Sequence, residues 1–169
     1  MHLDGIRFEF ISHIVPKQDG SGQILEDRPA LRYKNVKNLP LHPYGSGPFC
    51  RFNVFSPVDG IGVYSIVEDQ NREVLYIGKC TGVTSTLRKR FNQGYGSIQP
   101  RNCYEGGQST NCRINSLILD GAKNGGVLSV YYHKAQTKGA TDAMEACLIG
   151  KLRPPWNKRS PSSGVDPCQ

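Results

Sequence analysis

Two short runs near the middle of the chain, Gly62-Val63-Tyr64 and Tyr76-Ile77-Gly78, each set a glycine two residues from a tyrosine in otherwise strand-like sequence. A glycine inside a strand gives up side-chain packing, and it marks a place where a ligand or another backbone comes close. Asp69-Gln70-Asn71-Arg72 lies between the runs and reads as a turn, so Gly62 to Val67 and Val74 to Lys79 are expected to pair as a hairpin. A lone tyrosine on a strand is most often an ordinary sheet aromatic. Glycines beside both tyrosines favour a different use, in which Tyr64 and Tyr76 present phenol oxygens over a bare surface to a water and a phosphate.

The pattern around the hairpin predicts an α+β chain with a small mixed or antiparallel central sheet flanked by helices. Ser85 is placed to cap a short helix with Leu87 and Phe91 on its apolar side, closed by Gly94. Residues 96–108 read as a loop. Ser109 or Thr110 caps a second helix in which Ile114, Leu117, Ile118 and Ala122 share a face. Residues 127–132 form a third strand, and Thr141 caps a third helix that ends near Leu152, before Pro154-Pro155. Residues 1–59 alternate like strands in places, as in 6–11, but hold too few apolar side chains for their own core. They are expected to form an extension packed on a main domain of residues 60–158, with residues 159–169 a disordered tail.

No apolar run approaches the length of a membrane span, and the first residues carry no signal-peptide pattern. The expectation is a cytoplasmic protein with no membrane partner. Its six cysteines include no CxxC pair, which favours reduced, mostly buried thiols. A zinc site on Cys103 and Cys112 is the sharper alternative but lacks a second ligand pair. The formal charge is +7, and residues 79–113 hold most of it, with six basic side chains against Glu105 alone. A basic stretch of this kind suits a polyanion, because phosphate contacts release condensed counterions; a solvated surface would look the same.

Glu145 falls beside Leu148, Ile149 and Leu152 on the apolar stripe of its helix. A lone carboxylate there needs compensation. A divalent cation supplies it, since Mg²⁺ takes oxygen ligands and often only one or two carboxylates. The alternative is a Glu145 near the helix start, beside Asp142, that meets solvent. Arg90 shares a helical face with Leu87 and Phe91, a position suited to clamping a phosphate bidentately. Its neighbours Arg88 and Lys89 read as general backbone contacts. Asn157 follows Pro154-Pro155-Trp156, where a turn role is equally open.

Taken in order, Gly62-Val63-Tyr64, Tyr76-Ile77-Gly78-Lys79, Leu87-Arg88-Lys89-Arg90, Glu145 and Pro155-Trp156-Asn157 resemble the motif series of the GIY-YIG endonucleases over residues 60–158. The resemblance implies a single Mg²⁺, or Mn²⁺, on Glu145 and a scissile phosphate on Arg90. It implies Tyr64 near the attacking water as base or orienter, Tyr76 assisting, and Asn157 holding the site together. Lys79 is expected either to lower the pKa of Tyr64 or to touch phosphate only. Val63 replaces the isoleucine of the first motif. Many members carry a histidine one turn after the arginine; Gly94 stands there, followed by Tyr95, so that role passes to Tyr95, Lys79 or water. The segment from Tyr95 to Asn115 exceeds the family minimum. Gln108, Asn111, Arg113 and Asn115 in it, with Lys158 further on, are candidate contacts to base edges or phosphates. The function implied is a Mg²⁺-dependent DNA endonuclease of restriction type. The alternatives are a repair or single-strand nuclease, a non-catalytic DNA-binding module, or a zinc regulator. Assembly as a homodimer is left open.

Overall fold

The chain is α+β, and the expected hairpin lies at one side of a five-stranded antiparallel sheet. A computed structural model describes residues 1–28, 47–54, 59–82, 86–91, 96–104 and 109–158. In chain order the elements are β1 (His2–Leu3), β2 (Ile6–Arg7), β3 (Glu9–Pro16), β4 (Glu26–Asp27), β5 (Phe49–Cys50), β6 (Phe52–Asn53), β7 (Gly62–Glu68) and β8 (Glu73–Cys80), then α1 (Leu87–Phe91), α2 (Pro100–Tyr104), α3 (Ser109–Lys123), β9 (Leu128–Lys134) and α4 (Lys138–Leu152). The sheet runs β6-β3-β9-β7-β8, and every neighbouring pair is antiparallel. β1 with β2 and β4 with β5 make two further short ladders.

The N-terminal segment is woven into this sheet. β3 pairs with β9 through the register Ile14↔Leu128 to Glu9↔Tyr132, with an irregularity between Phe10 and Ser12. Residues 6–11, read as one strand, divide into the end of a small hairpin and the start of β3. Asn115 secures the other N-terminal piece: it accepts from the Cys50 N–H (2.8 Å) and donates to the Cys50 carbonyl (2.9 Å) and the Ile98 carbonyl (2.7 Å).

Strand alternation sends successive side chains to opposite faces, and the two faces have separate cores. Tyr64, Ile66, Cys80, Val130 and Tyr132 pack with Leu87, Phe91, Ile118 and Leu119 from the α1 to α3 side. Val63 and Ile77 pack on the other face with Leu148 of α4 and with Leu3 and Phe8.

The boundaries differ from expectation at two places. Pro100–Tyr104 is helical where a loop was read, because Pro100 fills a first-turn position that needs no N–H. α4 starts one turn earlier than expected: Thr137 is the cap, accepting from the Ala140 N–H, and Thr141 lies inside the helix with its hydroxyl on the Thr137 carbonyl. Ser85, Gly94, Tyr95, Gln108 and residues 159–169 lie outside the described residues. Cys50, Cys80, Cys103 and Cys112 are free, buried thiols. Cys147, half-buried on α4, is disulfide-bonded, which corrects the expectation of reduced thiols for that one.

Candidate active site

β8 is an edge strand of the five-stranded sheet, and the candidate site lies along it. The glycines beside the tyrosines are explained by contact. A Cβ at Gly78 would stand 2.6 Å from both Cζ and Oη of Tyr64 and 2.8 Å from Cε1 of Tyr76. A Cβ at Gly62 would stand 2.2 Å from the His133 carbonyl oxygen and 2.5 Å from the Tyr132 hydroxyl. Gly78 therefore clears the bed in which the two phenols lie. Gly78→Ala is expected to cost about 1–3 kcal/mol through overpacking. It should also lower any activity of the site well below the melting transition, since both rings must move. Wild-type activity at moderate temperature would contradict that use of Gly78.

Tyr64 is buried, with 1 % exposure. Its ring lies 5.9 Å from that of Tyr76 and 5.4 Å, edge on, from that of Phe91. The Arg90 guanidinium carbon sits 5.7 Å from the Tyr64 ring centroid, a cation–π contact, and its charge pulls down the Cys80 thiol that burial raises. The two phenols act on each other's titration. Burial holds the Tyr64 phenol well above the ordinary tyrosine range. Tyr76 is pushed up less, also by burial; Arg90 pulls it down, Glu145 pushes it up and Arg113 pulls it down. Tyr76 is thus the phenol whose titration Arg90, Glu145 and Arg113 all influence.

Lys79 does not join that cluster. It neighbours Ile77 on the α4 face, whereas Tyr64, Tyr76 and Cys80 belong to the opposite face. Its ammonium bonds Glu145 Oε2 at 2.7 Å and Asp142 Oδ1 at 2.9 Å, and those two carboxylates raise its pKa. The expectation that Lys79 lowers the Tyr64 pKa is therefore corrected: the charge beside Tyr64 is Arg90, and burial outweighs it. Asp142 was not singled out as functional from the sequence. Its spacing to Glu145, three residues along one helix face, was the signal that could have found it.

Glu145 keeps 19 % side-chain exposure and reaches both Lys79 and the field of Tyr76. Two carboxylates a turn apart offer hard oxygen donors of the kind Mg²⁺ takes. Among the described residues no group of three or more His, Cys, Asp or Glu could hold a metal. Asp142 and Glu145 would leave such an ion room for waters and substrate oxygens.

Asn157 caps the open edge. It accepts from the Ile77 N–H (2.9 Å) and donates to the Ile77 carbonyl (2.8 Å), and the Trp156 N–H donates to the Leu75 carbonyl (2.8 Å). Its side chain pairs with the edge strand as another strand would, which satisfies groups an edge leaves open.

The candidate DNA contacts divide. Arg88 is exposed and ion-paired with Asp59 at 3.8 Å; Lys89 and Lys158 are exposed. Lys89 and Thr86 line a cleft of about 560 Å³ with Asp59, Gly60, Ile61 and Gly82. Asn111 and Asn115 are corrected, because both are buried on the inward side of α3, and Asn115 spends its amide on backbone groups. Arg113 is half-buried and donates to the Trp156 carbonyl, so it belongs to the β8 edge and not to an outer loop.

The buried acids also set the alkaline limit of the fold. Burial pushes Tyr132 and Cys50 up to about 12 and Cys80 to about 11. In the unfolded chain phenols titrate near ~10 and thiols near ~8.5. A raised folded-state pKa contributes stability that is complete below the unfolded value and is lost as pH rises through the folded one. The melting temperature is expected to fall steeply between about pH 9 and 12. A flat profile across that window would contradict the burial of these groups.

In comparisons with known proteins, no family model, no curated protein and no solved structure matched the chain. Among the described residues no helix is long and apolar enough to cross a membrane.

Proposed function

We propose that the protein is a Mg²⁺-dependent DNA endonuclease of the GIY-YIG type, acting in the cytoplasm as a restriction-type enzyme. The observation that supports this most is the Arg90 guanidinium 5.7 Å from the ring centroid of Tyr64, beside Tyr76, at an edge strand that Asn157 pins and whose Lys79 holds Glu145 and Asp142. These side chains come from α1, β7, β8, α4 and the segment after α4.

Arg90 takes the phosphate, because a guanidinium offers a planar fork to two oxygens. Tyr76 and Tyr64 remain protonated at neutral pH, so they donate: Tyr64 to Tyr76, and Tyr76 to a phosphate oxygen or to the attacking water. Neither acts as a neutral-pH base, which revises the role first given to Tyr64. Glu145, with Asp142 near it, would hold Mg²⁺; when bound, the ion would supply Lewis-acid polarisation of the phosphoryl oxygen. Lys79 keeps the two carboxylates together until then. Arg88, Lys89 and Lys158 supply exposed positive charge for the rest of the strand.

One observation favours a second reading, a non-catalytic DNA-binding module: Glu145 already has a cation, the Lys79 ammonium. Plasmid and single-stranded DNA incubated with the purified protein and Mg²⁺, followed by sequencing of the ends, test both. Cuts at one recurring sequence in duplex DNA support the restriction reading. Cuts confined to single strands move it to the repair class, and binding without cuts supports the module.

A further inference from the structure

We propose that the cleft beside Gly60 is a nucleotide subsite, with the Tyr132 hydroxyl as the polar group that holds what enters it. On the nuclease reading above, its occupant is the nucleotide next to the phosphate on Arg90. Tyr132 stands across from Tyr64 in the β7–β9 ladder and packs on the same face of the sheet, with Leu87 and Phe91 of α1. It is 4 % exposed, and its hydroxyl is buried without a hydrogen-bond partner. A buried hydroxyl left unpaired is costly, and phenylalanine would fill the same volume without that cost. The fold nevertheless makes room for this oxygen. A Cβ at Gly62 would stand 2.5 Å from it and 2.6 Å from the Cζ that carries it. A Cβ at Gly60 would have the Tyr132 hydroxyl, at 3.8 Å, as its one neighbour within 4 Å among the described residues.

Gly60 lines the cleft of about 560 Å³ together with Ile61, Thr86 and Lys89, and it puts no side chain between that cleft and the hydroxyl. The volume falls in the range of roughly 300–1,000 Å³ in which small-molecule sites lie, and such sites pair apolar walls with a few placed polar groups. Ile61 supplies an apolar wall, Thr86 and Tyr132 supply hydroxyls, and the exposed Lys89 supplies a cation. These suit the sugar and base of a nucleotide on one side and its phosphate on the other. Asp59, also on the cleft, is ion-paired with Arg88 at 3.8 Å. Burial pushes the Tyr132 phenol up to about 12, so at neutral pH it keeps its proton and can donate it. The cleft adjoins the phosphate position through both Lys89, which precedes Arg90 on α1, and Tyr132, which faces Tyr64.

Tyr132→Phe removes the hydroxyl and keeps the ring. The test titrates a deoxynucleoside 5′-monophosphate, and separately the matching deoxynucleoside, into wild type, Tyr132→Phe and Lys89→Met, with the methyl resonance of Ile61 as the probe of the cleft. The expected result is that wild type binds both compounds and Tyr132→Phe binds both about three- to tenfold more weakly, the range for one neutral hydrogen bond. The melting temperature of Tyr132→Phe should be unchanged or higher, because the hydroxyl has no partner in the fold. Lys89→Met should weaken the monophosphate and leave the nucleoside within about twofold, since an ammonium recognises the phosphate as a point charge. In single-turnover cleavage with Mg²⁺, Tyr132→Phe should raise the half-saturating DNA concentration by a similar factor and change the maximal rate little, as for a contact equal in ground and transition states. An unmoved Ile61 resonance in wild type, or equal binding by wild type and Tyr132→Phe, would overturn the proposal. So would a melting temperature several degrees lower in Tyr132→Phe, which would assign the hydroxyl to the fold. Wild type that cuts no DNA, with nucleotide binding still weakened in Tyr132→Phe, would sink the nuclease reading and leave this subsite standing. Wild type that cuts DNA with an unmoved Ile61 resonance would do the reverse.

Discussion

Glu145→Gln is expected to lower Mg²⁺-dependent cleavage on the order of 10³-fold and to leave DNA affinity within a few-fold. Loss of the metal's charge stabilisation removes several kcal/mol from the transition state, and each ~1.4 kcal/mol is tenfold in rate. The fold should survive. Glutamine has the same shape, the side chain is only half-buried, and Lys79 keeps Asp142 at 2.9 Å. DNA affinity should survive because Arg88, Lys89 and Lys158 are untouched. Single-turnover rates and a binding isotherm on the same oligonucleotide measure both quantities. Unchanged cleavage in this variant would remove Glu145 from the chemistry.

The second large effect is expected at Arg90. Methionine is the substitution to test there, because the guanidinium lies over the Tyr64 ring and alanine would leave a hole beside it. Arg90→Met fills that volume without the charge. Cleavage should fall about 10²- to 10³-fold, as when one preorganised phosphate or oxyanion donor is removed. Loss of the cation–π contact should cost about 1–2 kcal/mol of stability, visible as a melting temperature a few degrees lower. Arg90→Lys should recover part of the stability and little of the rate, since an ammonium cannot offer a fork. Full activity in Arg90→Met would end the assignment of this residue to the phosphate.

Much of the architecture was legible because short-range rules govern it. The turn at residues 69–72, the two strand-interior glycines and the helix that stops at Pro154-Pro155 each follow from local backbone chemistry. What could not be read was pairing across long separations. That β3 lies beside β9 depends on contacts more than a hundred residues apart, as in Phe10↔Tyr131, and no local pattern specifies the partner. The position of Arg113 was hidden for the same reason, since the Trp156 carbonyl it donates to comes from the far end of the domain. Lys79 is different. Its place on the α4 face follows from alternation along β8, since Tyr76 and Gly78 share one face and Ile77 and Lys79 the other; the motif spacing outweighed a rule that was already in hand. Asn111 and Asn115 were candidates for contacts to base edges or phosphates, but on a helix buried along one side a polar side chain can serve the backbone of its neighbours, and Asn115 does so.

The histidine position of the resemblance, Gly94, has no counterpart yet among the groups described around Tyr76. The Tyr64 ring lies 5.9 Å from that of Tyr76, the charges of Arg90, Glu145 and Arg113 act on its phenol, and Lys79 is tied to Asp142 and Glu145. An arrangement of this kind binds and orients a phosphate and a water more readily than it removes a proton at neutral pH. The attacking water would then lose its proton to solvent or to a phosphate oxygen, with the Tyr76 hydroxyl holding the geometry.

The most direct measurement is the rate at which closed circular DNA is cut as Mg²⁺ is titrated, for wild type and Glu145→Gln side by side, with a chelator control. The account predicts cleavage that saturates with Mg²⁺ in wild type, vanishes with the chelator and stays near background in Glu145→Gln at every concentration. DNA that is bound but intact at all Mg²⁺ and Mn²⁺ concentrations, or cut equally well by both proteins, would contradict it.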